Sequence, residues 1–273
     1  MKLLFFCPIW GMADQPLDQS LRKMKAAGYD GVEFGCELND NCKDTFLKLC
    51  QELELEVIMQ QYGADGYSFE AYADNLKAHL YYLSGFNPLF INSQTGKDYF
   101  SQEQNKALIH LAADIQQETG IKIIHETHRG KMAYNALSTL YYLQHVEPMR
   151  LTGDFSHFCT VSESLLEGQD ELLNQIIPRV DHIHARVGHP QGPQISDPRL
   201  PEWQDAVNKH LQWWDAIIQH HLRAGSPYVT ITPEFGPAPY MPALPFTKQP
   251  IANQWEINLY MVNLLKSRYN SLQ

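Results

Sequence analysis

Glu126, Asp154, His184 and Glu234 are three carboxylates and an imidazole, the side chains that divalent cations of hard or borderline character take as ligands. Each closes a short apolar run: His125-Glu126-Thr127-His128-Arg129, Asp154-Phe155-Ser156-His157, His182-Ile183-His184 and Pro233-Glu234-Phe235-Gly236. Glu126 to Asp154 is 28 positions, Asp154 to His184 is 30 and His184 to Glu234 is 50. The first two steps are close to the roughly 31 residues per unit of a barrel of about 250 residues divided by eight. The long stretch Gly188 to Glu202 accounts for the surplus in the third. A lone acidic residue at a strand end is more often a helix cap or a surface charge; four in register argue for one site. Such a set leaves coordination positions open for water or substrate, and Mn²⁺, Mg²⁺, Co²⁺ and Zn²⁺ all suit it. His182 and His184 share one face of a strand by period two, so either could reach the cation. His184, nearer the carboxyl end, is the preferred ligand. His125, His128 and His189 are read as supporting donors or core residues.

The elements that must carry these residues follow from period. Short apolar, β-branched or aromatic runs alternate with amphipathic stretches, as in consecutive βαβ units. The expected strands are Lys2 to Trp10, Asp30 to Gly35, Leu55 to Tyr62, Pro88 to Gln94, Ile121 to Thr127, Met149 to Phe155, Val180 to Val187 and Tyr228 to Phe235. The expected helices are Pro16 to Ala27, Lys43 to Leu53, Phe69 to Leu83, Gln102 to Glu118, Ala133 to His145, Gln169 to Ile177, Trp203 to Leu222 and Gln254 to Tyr269. Gly28, Gly85, Gly120 and Gly225 stand where helix ends want a residue tolerant of positive φ. Eight alternations predict an α/β fold, a single (β/α)8 TIM barrel spanning residues 1–273 as one domain. The stretches 188–202 and 236–250 follow strands seven and eight, so they belong to the carboxyl face, where barrels place their sites. An open doubly wound sheet would show an early glycine-rich nucleotide turn, and the sequence has none.

These residues resemble the xylose-isomerase-like barrel superfamily, which holds ketose 3-epimerases, hydroxypyruvate isomerases, inosose dehydratases and type IV apurinic endonucleases. The resemblance covers the whole chain in architecture, with its motifs in the second half. It implies that Glu126, Asp154, His184 and Glu234 correspond to the family's metal quartet on strands five to eight. It implies substrate contact for His157, three positions after the Asp, and for Arg186, shortly after the His ligand. The run His182-Ile183-His184-Ala185 resembles the segment whose third residue is the ligand.

The resemblance implies metal-dependent isomerisation or epimerisation of a sugar, a sugar derivative or a small hydroxy-ketone. A cation chelating a carbonyl and its neighbouring hydroxyl stabilises the enediolate charge formed when the intervening C–H is deprotonated. Glu126 and Glu234, from different strands, would act as paired base and acid. Trp10, Glu33, Gln60 and either Asn92 or Gln94 are expected to wall the pocket, and His182 to touch the substrate. Trp203, Trp213 and Trp214 read as helix-to-barrel packing or a subunit contact.

The net charge of −10 and pI near 5.6 oppose a phosphate-backbone partner, so no nucleic acid is expected. An apurinic endonuclease of this kind would also need extra histidines on strands two and three, where Glu33, Gln60 and Gln61 stand. Closer rivals are a dehydratase or lyase of a cyclitol or sugar acid, which would expel a β-hydroxyl from the same enediolate, and a non-catalytic sugar or metal binder. The five cysteines form no C-x-x-C pair and read as reduced thiols of a cytoplasmic protein. The opening apolar run stops at Pro8, and no stretch reaches the ~18 apolar residues of a membrane span. No membrane partner is expected; a homo-oligomer is compatible with the sequence.

Overall fold

The computed structural model describes the chain except residues 13, 39, 40, 148 and 271–273. Eight parallel strands close into a barrel in chain order: β1 Lys2–Pro8, β2 Gly31–Phe34, β3 Glu56–Gln61, β4 Phe90–Ser93, β5 Ile123–Glu126, β6 Leu151–Gly153, β7 Val180–His184 and β8 Tyr228–Thr232. Registers such as Lys2↔Tyr228 between β1 and β8 complete the ring, leaving no open sheet edge.

Around it lie nine α-helices among the described residues: α1 Leu17–Ala26, α2 Lys43–Glu52, α3 Phe69–Ser84, α4 Gln102–Thr119, α5 Ala136–His145, α6 Phe155–Val161, α7 Asp170–Ile176, α8 Gln204–Arg223 and α9 Gln254–Arg268. Side-chain caps start several of them, including a full capping box at Ser101 and Gln104 before α4. Trp213 and Trp214 of α8 are buried, so they pack inward. No described helix is long and apolar enough to cross a membrane.

The strands are shorter than the sequence pattern suggests, mostly at their carboxyl ends. The clearest departure follows β6. Phe155 does not extend the strand but begins α6, because Asp154 turns its carboxylate onto the Ser156 amide at 3.0 Å and caps the helix. Gly28, Gly120 and Gly225 adopt positive φ as expected, whereas Gly85 has φ −64° and Asn87 takes the left-handed turn in its place.

Two apolar regions result. The larger lies between strands and helices. The smaller is a separate plug of Phe6, Ile58, Phe90 and Ile124, all at 4% exposure or less, from β1, β3, β4 and β5. Side chains alternate across a strand, so Gln60, Asn92 and Glu126, two residues beyond Ile58, Phe90 and Ile124, share the plug's face. A polar layer therefore stacks on an apolar floor inside the barrel.

Candidate metal centre and substrate pocket

The carboxyl ends of β5 to β8 bring Glu126, Asp154, His184 and Glu234 together, each offering a ligand atom within 4.8 Å of the others. All four are buried, at 4% exposure or less. Glu126 and His184 are the last residues of β5 and β7. Asp154 is held by Thr127, whose hydroxyl accepts from the Asp154 amide at 2.8 Å and donates to its carbonyl at 2.9 Å. Glu234 lies beyond β8 on a backbone pinned from both sides. Asn258 of α9 bonds the Phe235 amide and carbonyl, each at 3.0 Å, and Gln194 bonds those of Gly236 at 2.8 and 3.2 Å.

Neighbouring amides orient the carboxylates. Gln60 donates to Glu234 Oε1 at 3.3 Å, Gln94 to Glu126 at 3.3 and 3.4 Å, and Asn92 to Glu126 Oε2 at 3.1 Å. Arg186 donates from Nη2 to Asp154 Oδ2, to His157 Nε2 at 2.8 Å, and stands 3.4 Å from Glu234 Oε2. Its fork is fully buried.

The atoms fit a cation better than they fit one another. His184 Nδ1 and Glu234 Oε2 are 2.8 Å apart, yet neither has a hydrogen-bond partner among the described residues. Buried polar atoms are normally satisfied, and two orphans facing each other are what a shared metal ion would leave. Glu33, Glu126, Asp154 and Glu234 are four buried carboxylates, and among the described residues Arg186 is the Arg or Lys that pairs with them, at Asp154 and Glu234. These side chains could hold a divalent metal.

Titration reflects the crowding. Burial pushes the Glu126 carboxyl up to about 8, with His184 opposing and Glu234 and Asp154 reinforcing the rise. Burial also raises Glu234, but His184 and Arg186 outweigh it and leave the group below its ordinary value. Burial disfavours a charged His184, yet the surrounding Glu234, Glu33 and Glu126 hold it well above the usual histidine range. Two glutamates of one site are thus driven in opposite directions.

Above the cluster is a cavity of about 340 Å³, with Glu126, Glu234 and Arg186 at its floor and Trp10, Gln60, Tyr62, Gln94, His128 and Tyr240 among its walls. Two glycines admit the aromatic walls: a Cβ at Gly236 would overlap the Trp10 indole, and one at Gly35 the Tyr62 ring. Tyr240 meets Trp10 edge-on at 5.1 Å and lies under the guanidinium groups of Arg186 (4.7 Å) and Arg129 (5.2 Å). A larger groove of about 630 Å³ lies beyond Trp10 against α9, but none of its described lining residues is acidic or a histidine.

Of the residues expected to touch substrate, Trp10, Gln60 and Arg186 line the cavity. Asn92 and His182 do not. Both are fully buried a level lower, Asn92 between Glu33 and Glu126, and His182 against the Thr230 carbonyl at 3.0 Å and Glu33 at 3.3 Å. Glu33, expected as a wall, is likewise enclosed. His157 is fully buried, with its ring centroid 3.8 Å from that of His128. His125 bonds Thr95 at 2.8 Å, away from the cluster. Sequence reading gave no role to Tyr240, which lies in the 236–250 loop outside any periodic pattern. Its only signal was the length of that loop after β8.

No family model matches the sequence, and no curated protein matches it either. Solved structures do match in fold. A D-tagatose 3-epimerase-like protein shares 14% identity over 100% of both chains, with a TM-score of 0.67. A xylose isomerase-like TIM barrel protein from Mycobacterium smegmatis, in complex with magnesium, shares 13% over 97% of both chains at 0.65. The probable 3-DHS dehydratase of petrobactin synthesis from Bacillus anthracis shares 15% over 97% of this chain and 99% of its own, at 0.62. The chain therefore has the fold of xylose isomerase-like TIM-barrel proteins, traced end to end.

Proposed function

We propose that the chain is a divalent-metal-dependent isomerase or epimerase acting on a sugar, a sugar derivative or a small hydroxy-ketone. One observation carries this reading: two glutamates from different strands, Glu126 and Glu234, face a single cluster of ligand atoms at the floor of a cavity walled by aromatic rings and amides. The fold neighbours described as D-tagatose 3-epimerase-like and as a xylose isomerase-like barrel in complex with magnesium support it.

A divalent cation held by Glu126, Asp154, His184 and Glu234 would supply Lewis acidity towards a substrate carbonyl and its neighbouring hydroxyl. Three carboxylates and one imidazole suit Mn²⁺ or Mg²⁺, and also admit Co²⁺ and Zn²⁺. The chain's own residues do the proton chemistry. One of Glu126 and Glu234 removes the proton from the hydroxyl-bearing carbon beside the carbonyl, and the other returns one. Return on the opposite face inverts the centre; return to the former carbonyl carbon, with the hydroxyl proton passing to the former carbonyl oxygen, isomerises the substrate. Gln60 and Gln94 hold these carboxylates in place, while Trp10, Tyr62 and Tyr240 offer apolar faces to a sugar ring.

The test is NMR in D₂O with Mn²⁺ and a panel of ketoses and hydroxy-ketones. Deuterium entering at the carbon beside the carbonyl, without loss of water, is the expected result. Loss of water would assign a dehydratase or lyase instead. Binding with neither exchange nor product would reduce the protein to a sugar binder.

A further inference from the structure

We propose that Glu33 is a positioning residue for the metal centre: from β2 its carboxylate accepts the Nε2–H of His184 and fixes that imidazole with a bare Nδ1 turned towards Glu126 and Glu234. This rests on reading the four-residue cluster as a metal site.

Glu33 is 1% exposed, and both its oxygens lie near His184 Nε2, Oε1 at 3.0 Å and Oε2 at 3.1 Å. An ionised carboxylate only accepts hydrogen bonds, so the imidazole proton belongs on Nε2. The other close neighbour of that nitrogen, Asn92 Nδ2 at 3.3 Å, cannot supply a proton to it. Its two hydrogens go to Glu33 Oε1 at 3.0 Å and Glu126 Oε2 at 3.1 Å. Flipping the amide would set its oxygen against two carboxylates, so the orientation is dictated by its neighbours.

When the ring is neutral, as a metal ligand must be, the proton stays on Nε2 and Nδ1 carries the lone pair. It stands 2.8 Å from Glu234 Oε2 and 3.7 Å from Glu126 Oε1, where ligand atoms meet. A metal-bound histidine that donates its other N–H to a carboxylate is oriented by it and made a stronger ligand. Asn92 extends the hold: one amide ties Glu33 to Glu126, so β2, β4, β5 and β7 are joined through the lumen beneath the site. Among the described residues no Lys or Arg nitrogen pairs with Glu33. A lone buried anion is costly, and a cation across the imidazole would offset it.

The experiment uses the full chain, stripped of metal, as wild type, Glu33→Gln and Glu33→Leu. Long-range ¹H–¹⁵N spectra of the metal-free protein, recorded over a pH series that reaches the neutral ring, report the His184 tautomer, assigned by the signal lost in His184→Asn. Calorimetric titration reports Mn²⁺ affinity, and thermal unfolding without metal reports the fold. We expect the Nε2–H tautomer in wild type and in Glu33→Gln, whose amide oxygen still accepts that proton. We expect Mn²⁺ affinity to fall about 10- to 100-fold in Glu33→Leu and by less in Glu33→Gln. An Nδ1–H tautomer in wild type, or unchanged affinity in Glu33→Gln, overturns the proposal even if Glu33→Leu fails to fold. So would two Mn²⁺ per wild-type chain with one lost in Glu33→Gln, which would make Glu33 a ligand. If wild type binds no Mn²⁺, the metal reading falls, while the tautomer spectrum still decides whether Glu33 sets His184.

Discussion

Arg186 and Ser156 divide the carboxylate of Asp154 between them: the guanidinium donates to Oδ2 while the Ser156 amide donates to Oδ1. Removing the arginine leaves four buried carboxylates without a permanent countercharge. Breaking a buried pair in this way typically costs about 3–5 kcal/mol. Arg186→Met should therefore lose about that much stability without metal. Mn²⁺ at ~100 times its Kd should return about 2.7 kcal/mol. Urea unfolding with and without Mn²⁺ checks both; equal stability of variant and wild type in metal-free buffer would refute the expectation.

Glu126→Gln and Glu234→Gln should each lower turnover by at least ~10²-fold, the range in which general acid–base groups contribute. Deuterium exchange at the substrate carbon is the readout. Near-normal exchange in one variant would remove that glutamate from the proton path.

How much of this arrangement is legible in sequence depends on what a single strand can encode. Period two places Gln60, Asn92 and Glu126 on the lumen face, and spacing aligns the ends of β5 to β8. Depth is another matter. Strands in a barrel are staggered, so Asn92 pairs with Ile124, one inward level below Glu126. Nothing within β4 alone reveals this, and Asn92, His182 and Glu33 read as walls although they are enclosed. The extent of β6 was hidden for a different reason: Phe155 keeps the period-two alternation of Met149 and Leu151, while the strand ends where the Asp154 side chain caps the Ser156 amide.

Gly236→Ala should force the Trp10 ring off its seat, since the added methyl has nowhere else to go. Overpacking of this kind costs about 1–3 kcal/mol. The substrate KM should rise more than kcat falls, because the indole is a wall rather than a proton-transfer group. Steady-state kinetics with tryptophan fluorescence tests the split; an unchanged KM would show that Trp10 does not contact the substrate.

Away from the site, Asp181 pairs with Arg150 (Nε to Oδ2, 2.9 Å) and Lys122 (2.6 Å). Burial pushes its carboxyl up, but the Arg150 hydrogen bond and the Lys122 charge outweigh this and hold it below the ordinary aspartate value. A depressed folded pKa stabilises above the unfolded value near 3.9, and the gain is lost as pH falls through the folded one. Asp181→Asn should cost about 1–3 kcal/mol at pH 7, and the gap from wild type should narrow below pH 4. A gap that stays constant from pH 7 to pH 3 in urea titrations would count against the ion pair.

The plug of Phe6, Ile58, Phe90 and Ile124 makes the lumen a blind well. Solvent reaches Glu126 and Glu234 from the rim alone, so a proton lifted from a bound molecule has one exit, past the substrate itself. The carboxyl that received it exchanges with solvent slowly while the molecule stays seated, so the isotope exchange of the bound state becomes a clock for how long it stays.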